Sequence, residues 1–192
     1  MLLHMTTYMA GGLFMHRRWW RLILVLFGSL LAPFLTWGAS REATLRVTVH
    51  LLDNNQDLGE VLFIPNRYGL LVAPKLSGLP PGMHGFHVHT KGDCGNTAAN
   101  GQQGSGLAAG GHLDPRKTGK HLGPYEPGHL GDLPALYVDE QGRALLPVLA
   151  PRLSIADLHD HALMIHRGGD NYSDLPEPLG GGGPRIACGV IP

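Results

Sequence analysis

The stretch "ATLRVTVHLLD", Ala43–Asp53, alternates Leu45, Val47 and Val49 with Thr44, Arg46 and Thr48. A period of two puts one set on a buried face and the other in solvent, so the stretch reads as a half-buried β-strand. Further along, "GEVLFIPN" (59–66), "YGLLVAPKL" (68–76), "MHGFHVHT" (83–90), "HALMIHR" (161–167) and "RIACGVI" (185–191) each read as a strand. "ALYVDEQGRALLPVLA" (135–150) reads as two strands around a turn at Asp139–Gly142. No segment sustains a helical period, and 28 glycines and 15 prolines in 192 residues supply the turns. The expectation is an all-β chain: an antiparallel Greek-key sandwich or flattened barrel of about eight strands. Two stretches resist strand assignment, Thr90–Leu133 and Arg167–Pro184. Loops this long inside a compact domain point to function.

The N-terminus has a different character. A basic run, "MHRRWWR" (15–21), precedes an apolar one, "LILVLFGSLLAPFLTW" (22–37), and small residues follow at Thr36 and Gly38–Ser40. This is the order of a secretory signal. The predicted organisation is a signal peptide over residues 1–39 and one domain over residues 40–192. The alternative is a retained membrane anchor, but the apolar run is short for a span of about 20 residues. Three of the 15 basic residues (Arg17, Arg18 and Arg21) fall in the leader and none of the 15 acidic ones does, so residues 40–192 carry 12 against 15, net −3. That balance excludes a basic nucleic-acid binder. It also means that an anionic substrate would have to be drawn by a local positive group. The two cysteines, Cys94 and Cys188, both lie in the exported part. An even pair in an oxidising compartment predicts one disulfide, the alternative being two free buried thiols.

Twelve histidines need an account. His87 and His89 are two apart on one strand, so they share a face opposite Phe86 and Val88. Downstream, "GGHLDP", "GKHLGP" and "PGHLGD" supply His112, His121, His129 and Asp132. Three imidazoles and a carboxylate make a ligand set for tetrahedral zinc, and with four protein ligands such a site is closed and structural. That leaves His87, His89 and, from a later strand, His166, which suit copper in a nitrogen field. No cysteine or methionine stands beside them, which argues against a blue-copper electron carrier.

"GFHVHTKGDCG", "GGHLDP", "GHLGDLP", "IHRGGDNYSD" and "GGGGPRIACGVI" resemble the signature segments of copper,zinc superoxide dismutases of the exported bacterial type, in order and from about Thr44 to Ile191. The resemblance implies a periplasmic oxidoreductase that converts superoxide to oxygen and hydrogen peroxide, as a monomer or homodimer without stable membrane association. It implies copper on His87, His89, His112 and His166, and zinc on His112, His121, His129 and Asp132. His112 would bridge the two metals and carry a proton. Arg185 would guide the anion, Cys94 and Cys188 would form the family disulfide, and Asp170 would hold a histidine from each metal site, with Asp174 a competitor for that role. Two other readings stand beside it: a dismutase-like module that stores or delivers copper or zinc without turnover, and a structural sandwich with zinc alone. Arg185 favours the enzyme over the first. His87, His89 and His166 together disfavour the second. Of the other histidines, His50 reads as a surface residue, His84 as packed against backbone, and His159 and His161 as loop and strand-end residues. Tyr172 is assigned no chemistry.

Overall fold

The computed structural model describes residues 44–192. The expected signal peptide lies outside these residues. Ten strands run in order: β1 (Leu45–Leu51), β2 (Asp57–Asn66), β3 (Gly69–Ser77), β4 (Gly82–His84), β5 (Phe86–His89), β6 (Leu136–Val138), β7 (Arg143–Ala144), β8 (Val148–Ala150), β9 (Ala162–His166) and β10 (Arg185–Val190). Every pairing is antiparallel.

The main sheet has the order β5-β9-β10-β1-β2-β3-β7, with β8 also on β3, and β4 pairs with β6. The last strand therefore lies beside the first. At one edge β5 continues back through Gly85 into β4, and at the other β7 follows β6. The small β4–β6 sheet thus links the two ends of the large one, and the whole curls into a flattened half-barrel of Greek-key character.

The alternation in β1 holds: Val47 and Val49 are buried, Arg46 and Thr48 exposed. They join Val61 and Phe63 of β2, Leu70, Val72 and Leu76 of β3, Phe86 and Val88 of β5, and Leu163 and Ile165 of β9 in one core. Among the described residues no helix is long and apolar enough to cross a membrane.

Two local expectations change. "MHGFHVHT" is two strands, because Gly85 breaks the run and sends β4 to β6 while β5 pairs with β9. The two strands around the turn at Asp139–Gly142 are present, and the turn is closed by Gly142 N–H to the Asp139 carbonyl and Asp139 N–H to the Arg143 carbonyl, each at 2.9 Å, but the flanking strands do not pair with each other. Beyond that turn β6 pairs with β4, and β7 and β8 both pair with β3. Cross-strand partners distant in sequence decide these pairings, and local pattern does not carry them.

Both long connections are present, one between β5 and β6 and one between β9 and β10, with only short 3-10 turns at Leu107–Ala109 and Pro178–Gly181. Cys94 and Cys188 form the expected disulfide, which ties the first connection to β10 across 94 residues.

Candidate metal centre

The free edge of β5 is where the first loop attaches. Val88 N–H donates to the Gly131 carbonyl, and Leu113 N–H donates to the Val88 carbonyl, each at 2.8 Å. This pairing sets His112 opposite His89 and Asp132 opposite His87. His166 closes β9, and its N–H donates to the Gly85 carbonyl at 2.8 Å. Seven side chains from three chain segments, β5, the loop that follows it and β9, so come together, and all seven are buried: His87, His89, His112, His121, His129, Asp132 and His166.

They form two adjoining groups. His87, His89, His112 and His166 each offer an atom within 4.8 Å of the others, and so do His87, His112, His121 and Asp132. His129 stands just outside the second group, with Nδ1 3.5 Å from Asp132 Oδ1.

The hydrogen bonds fix which nitrogen of each ring is free. His89 Nδ1–H donates to the Gly110 carbonyl at 2.9 Å, and His166 Nδ1–H to the Gly183 carbonyl at 3.0 Å. A neutral imidazole has one proton, so both Nε2 atoms carry lone pairs. They face each other at 3.4 Å in the interior. His87 Nε2–H donates to Asp170 Oδ2 at 2.7 Å, which leaves Nδ1 as the acceptor atom. His112 Nδ1–H donates to Asp132 Oδ1 at 2.9 Å, which leaves Nε2. His87 Nδ1 and His112 Nε2 are buried without a partner, as are Nδ1 of His121 and of His129. Buried polar atoms are rarely left unpaired. The lone pairs of His87 Nδ1, His112 Nε2, His89 Nε2 and His166 Nε2 come together with no donor between them, an arrangement that fits a cation.

Three histidines crowd the Asp132 carboxylate. His121 Nδ1 lies 3.0 Å from Asp132 Oδ2 without hydrogen-bond alignment. With the 2.9 and 3.5 Å contacts of His112 and His129, the separations scatter around the roughly 3.3 Å edge of a tetrahedron with zinc-type bond lengths. His121 and His129 approach Asp132 closely without hydrogen-bond alignment, as two ligands of a shared ion do.

Electrostatics agrees. Burial, reinforced by the neighbouring His112, pushes the His87 imidazole down to about 3 against its bond to Asp170. Burial takes His166 down to about 4 and lowers His89 and His112 as well. All four rings are neutral at pH 7, the form in which imidazole binds a metal. His121 goes the other way. Burial opposes its cation, but the carboxylates of Asp132 and Asp170 raise it to about 9. For Asp132 and Asp170 too, burial is outweighed by imidazole hydrogen bonds, and both carboxyls sit well below their usual range.

Asp170 accepts from His87 Nε2 at Oδ2 and from His121 Nε2 at Oδ1, both at 2.7 Å, and so joins one ring of each group. Asp174 accepts instead from the backbone N–H of His121 and of Leu179. Arg185 is the register partner of His166. Its guanidinium is half-buried and donates to the carbonyls of Gly106 and Gly110, each at 2.6 Å.

Some contributors carry no sequence signal. The Gly110 and Gly183 carbonyls select the tautomers of His89 and His166, yet any residue has a carbonyl. Gly180 has φ +75°, and a Cβ there would stand 2.0 Å from Asp170 Oδ1, so the glycine run makes room for the carboxylate bridge. Tyr172, unassigned from sequence, helps to place Asp170. Its N–H donates to Asp170 Oδ1, and its hydroxyl accepts from Ala135 N–H. His84 packs as expected, with its ring nitrogens 2.8 and 2.7 Å from the carbonyl oxygens of His166 and Pro80. His50 is half-buried, with Nδ1 unpartnered, and is not an open surface residue.

An antiparallel half-barrel with two adjoining buried clusters of imidazole and carboxylate is a dinuclear metalloprotein. A family profile described as copper/zinc superoxide dismutase matches residues 58–191. The chain is 59% identical over 159 residues to Cu-Zn superoxide dismutase 1 of Salmonella typhimurium, covering 80% of this chain and 90% of that protein. Among solved structures it is similar to the Cu/Zn superoxide dismutase from Brucella abortus, with TM-score 0.74, 43% identity, and coverage of 78% of this chain and 100% of that one. It is also similar to the monomeric copper, zinc superoxide dismutase from Salmonella enterica, with TM-score 0.69, 52% identity and the same coverage. The chain belongs to the copper/zinc superoxide dismutase family. It is an oxidoreductase that dismutates superoxide, and its metals are copper and zinc.

Proposed function

We propose that His87, His89, His112 and His166 hold the copper, that His112, His121, His129 and Asp132 hold the zinc, and that Arg185 receives the superoxide anion. The observation that carries this reading is the pair of Nε2 lone pairs of His89 and His166, buried 3.4 Å apart with both opposite nitrogens committed to carbonyls.

Copper, when bound, supplies the one-electron chemistry that takes an electron from one superoxide and gives it to a second. The products are oxygen and, with two protons, hydrogen peroxide. The chain supplies the rest. Arg185 is a permanent cation whose two carbonyl bonds fix it beside His166, and three of its five donors stay free for a small anion. In a domain of net charge −3 that local cation has to do the steering. His112 keeps Nδ1 towards Asp132, so a proton carried at Nε2 would lie on the copper side, within reach of the reduced substrate. Asp170 holds the rings of His87 and His121 in fixed orientation, as carboxylates behind metal-binding histidines do. The zinc set orders a loop too long to order itself. A module that only stored or delivered metal would have no use for Arg185.

The disulfide and the basic-then-apolar leader support export to the periplasm, where the enzyme would protect the envelope. The mature domain would act there without stable membrane association, as a monomer or homodimer. The monomeric Salmonella enterica enzyme supports the former.

Elemental analysis of the purified mature protein, run beside a superoxide-consumption assay with and without a copper chelator, tests the reading. We expect one copper and one zinc per chain, with consumption abolished by the chelator and restored by copper. Consumption indifferent to the chelator would contradict it.

A further inference from the structure

Between the zinc-side residues His121 and Asp132 the chain runs through "LGPYEPGHLG", Leu122–Gly131. This segment has no strand of its own. Two prolines lack a donor, and Tyr125 and Glu126 point to solvent. Its carbonyls at Gly123, Pro124, Gly128 and His129 accept no backbone hydrogen bond from the described residues. One side chain satisfies all four. Arg152 Nε donates to Pro124 O at 2.9 Å and Nη1 to Gly128 O at 3.2 Å. Nη2 donates to Gly123 O at 3.2 Å and also to His129 O.

Arg152 comes from outside both long loops. It follows β8, whose Ala150 is buried on β3, and the next residue, Leu153, is anchored in the core. Immediately beyond, Ser154 and Asp157 form a reciprocal capping box that fixes the chain. The guanidinium is therefore presented by the rigid barrel, and its planar fork spreads over carbonyls from both ends of a seven-residue span. A lysine ammonium has neither the reach nor the fork to do this. Burial, with Arg116 nearby, weighs against its cation more than Asp132 and Glu126 favour it, so it is the four carbonyls that hold the guanidinium in place.

We propose that Arg152 is the positioning residue of the zinc side. By clamping Gly123–His129 it brings His121, His129 and Asp132 together before the ion arrives, so that zinc binds a preformed set. This rests on the assignment of those residues to zinc. Arg152 touches neither substrate nor reacting atoms, and its effect runs through the backbone of the residues that do the binding.

The test is zinc affinity of the full mature chain with its disulfide intact, measured by competition with a chromophoric chelator for the parent, Arg152→Ala and Arg152→Lys. Arg143→Ala, at an exposed ion pair with Asp139, is the control. Zinc affinity should fall about 10- to 100-fold in Arg152→Ala, the usual cost of losing a partner behind the ligands. Arg152→Lys should recover little of it, and the control should match the parent. Cobalt(II) placed in the zinc site should show an altered ligand-field spectrum in both Arg152 variants. Parent-like zinc affinity and cobalt spectrum in Arg152→Ala would overturn the proposal, even if the variant melts earlier, because that pattern means general stabilisation only. If the alanine chain does not fold, Arg152→Lys decides, and parent-like zinc affinity there overturns the proposal. A parent chain that binds no zinc would instead overturn the zinc assignment itself.

Discussion

His89 and Arg185 share one acceptor: the Gly110 carbonyl takes the Nδ1–H of His89 at 2.9 Å and an Nη2–H of Arg185 at 2.6 Å. A histidine proposed for copper and the arginine proposed for the anion are thus held by the same backbone atom. Arg185→Ala should keep both metals and lose the positive target, so kcat/KM should fall about 10- to 100-fold and lose its dependence on ionic strength. Arg185→Lys should keep part of the salt dependence and less of the rate, because an ammonium lacks the fork. Stopped-flow superoxide decay over a range of salt concentrations checks both.

Asp170 is the single carboxylate between His87 and His121. Asp170→Asn removes the charge and can accept at only one oxygen, so one of the two rings loses its hold. Metal affinity should drop about 10- to 100-fold. Titration of the metal-free variant with zinc and with copper, followed by calorimetry, measures the loss.

Gly180→Ala forces a side chain to φ +75° and a carbon to within 2.0 Å of Asp170 Oδ1. The backbone cost alone is about 1–2 kcal/mol, and displacement of Asp170 adds to it. The loaded protein should melt at least about 3 °C lower and lose zinc more readily. A melting curve with zinc released into a colorimetric chelator reads both effects.

Without metals, stability should depend on pH in two directions. His87 and His166, lowered to about 3 and 4, stay neutral in the fold but gain a proton on unfolding, so stability falls as pH drops below about 6.5. His121, raised to about 9, binds its proton more tightly when folded, so its contribution is complete below about 6.5 and is lost as pH climbs through 9. Urea unfolding of the metal-free chain should therefore give its highest midpoint near neutrality, with declines on both sides.

What could be read in the sequence was what depends on local chemistry. The alternation around Val47 and Val49 gave the strand faces, and the His87–His89 spacing gave a shared face. Two cysteines after a segment read as a secretory leader predicted the disulfide that forms. What depends on distant partners was not legible. β6 pairs not with β7, its neighbour in sequence, but with β4, far earlier in the chain. Asp170 and Asp174 lie four apart in similar surroundings, and only the fold sends one carboxylate to two imidazoles and the other to backbone N–H groups. The carbonyls that hold His89, His166 and Arg185 belong to glycines whose side chains say nothing.

The most direct measurement is anomalous diffraction from crystals of the mature protein loaded with both metals, recorded on either side of the copper and zinc absorption edges. We expect a copper peak bonded to nitrogens of His87, His89, His112 and His166, and a zinc peak bonded to His112, His121, His129 and Asp132. Peaks lying elsewhere, with these imidazoles bound to no ion, would contradict the dinuclear centre proposed for this chain.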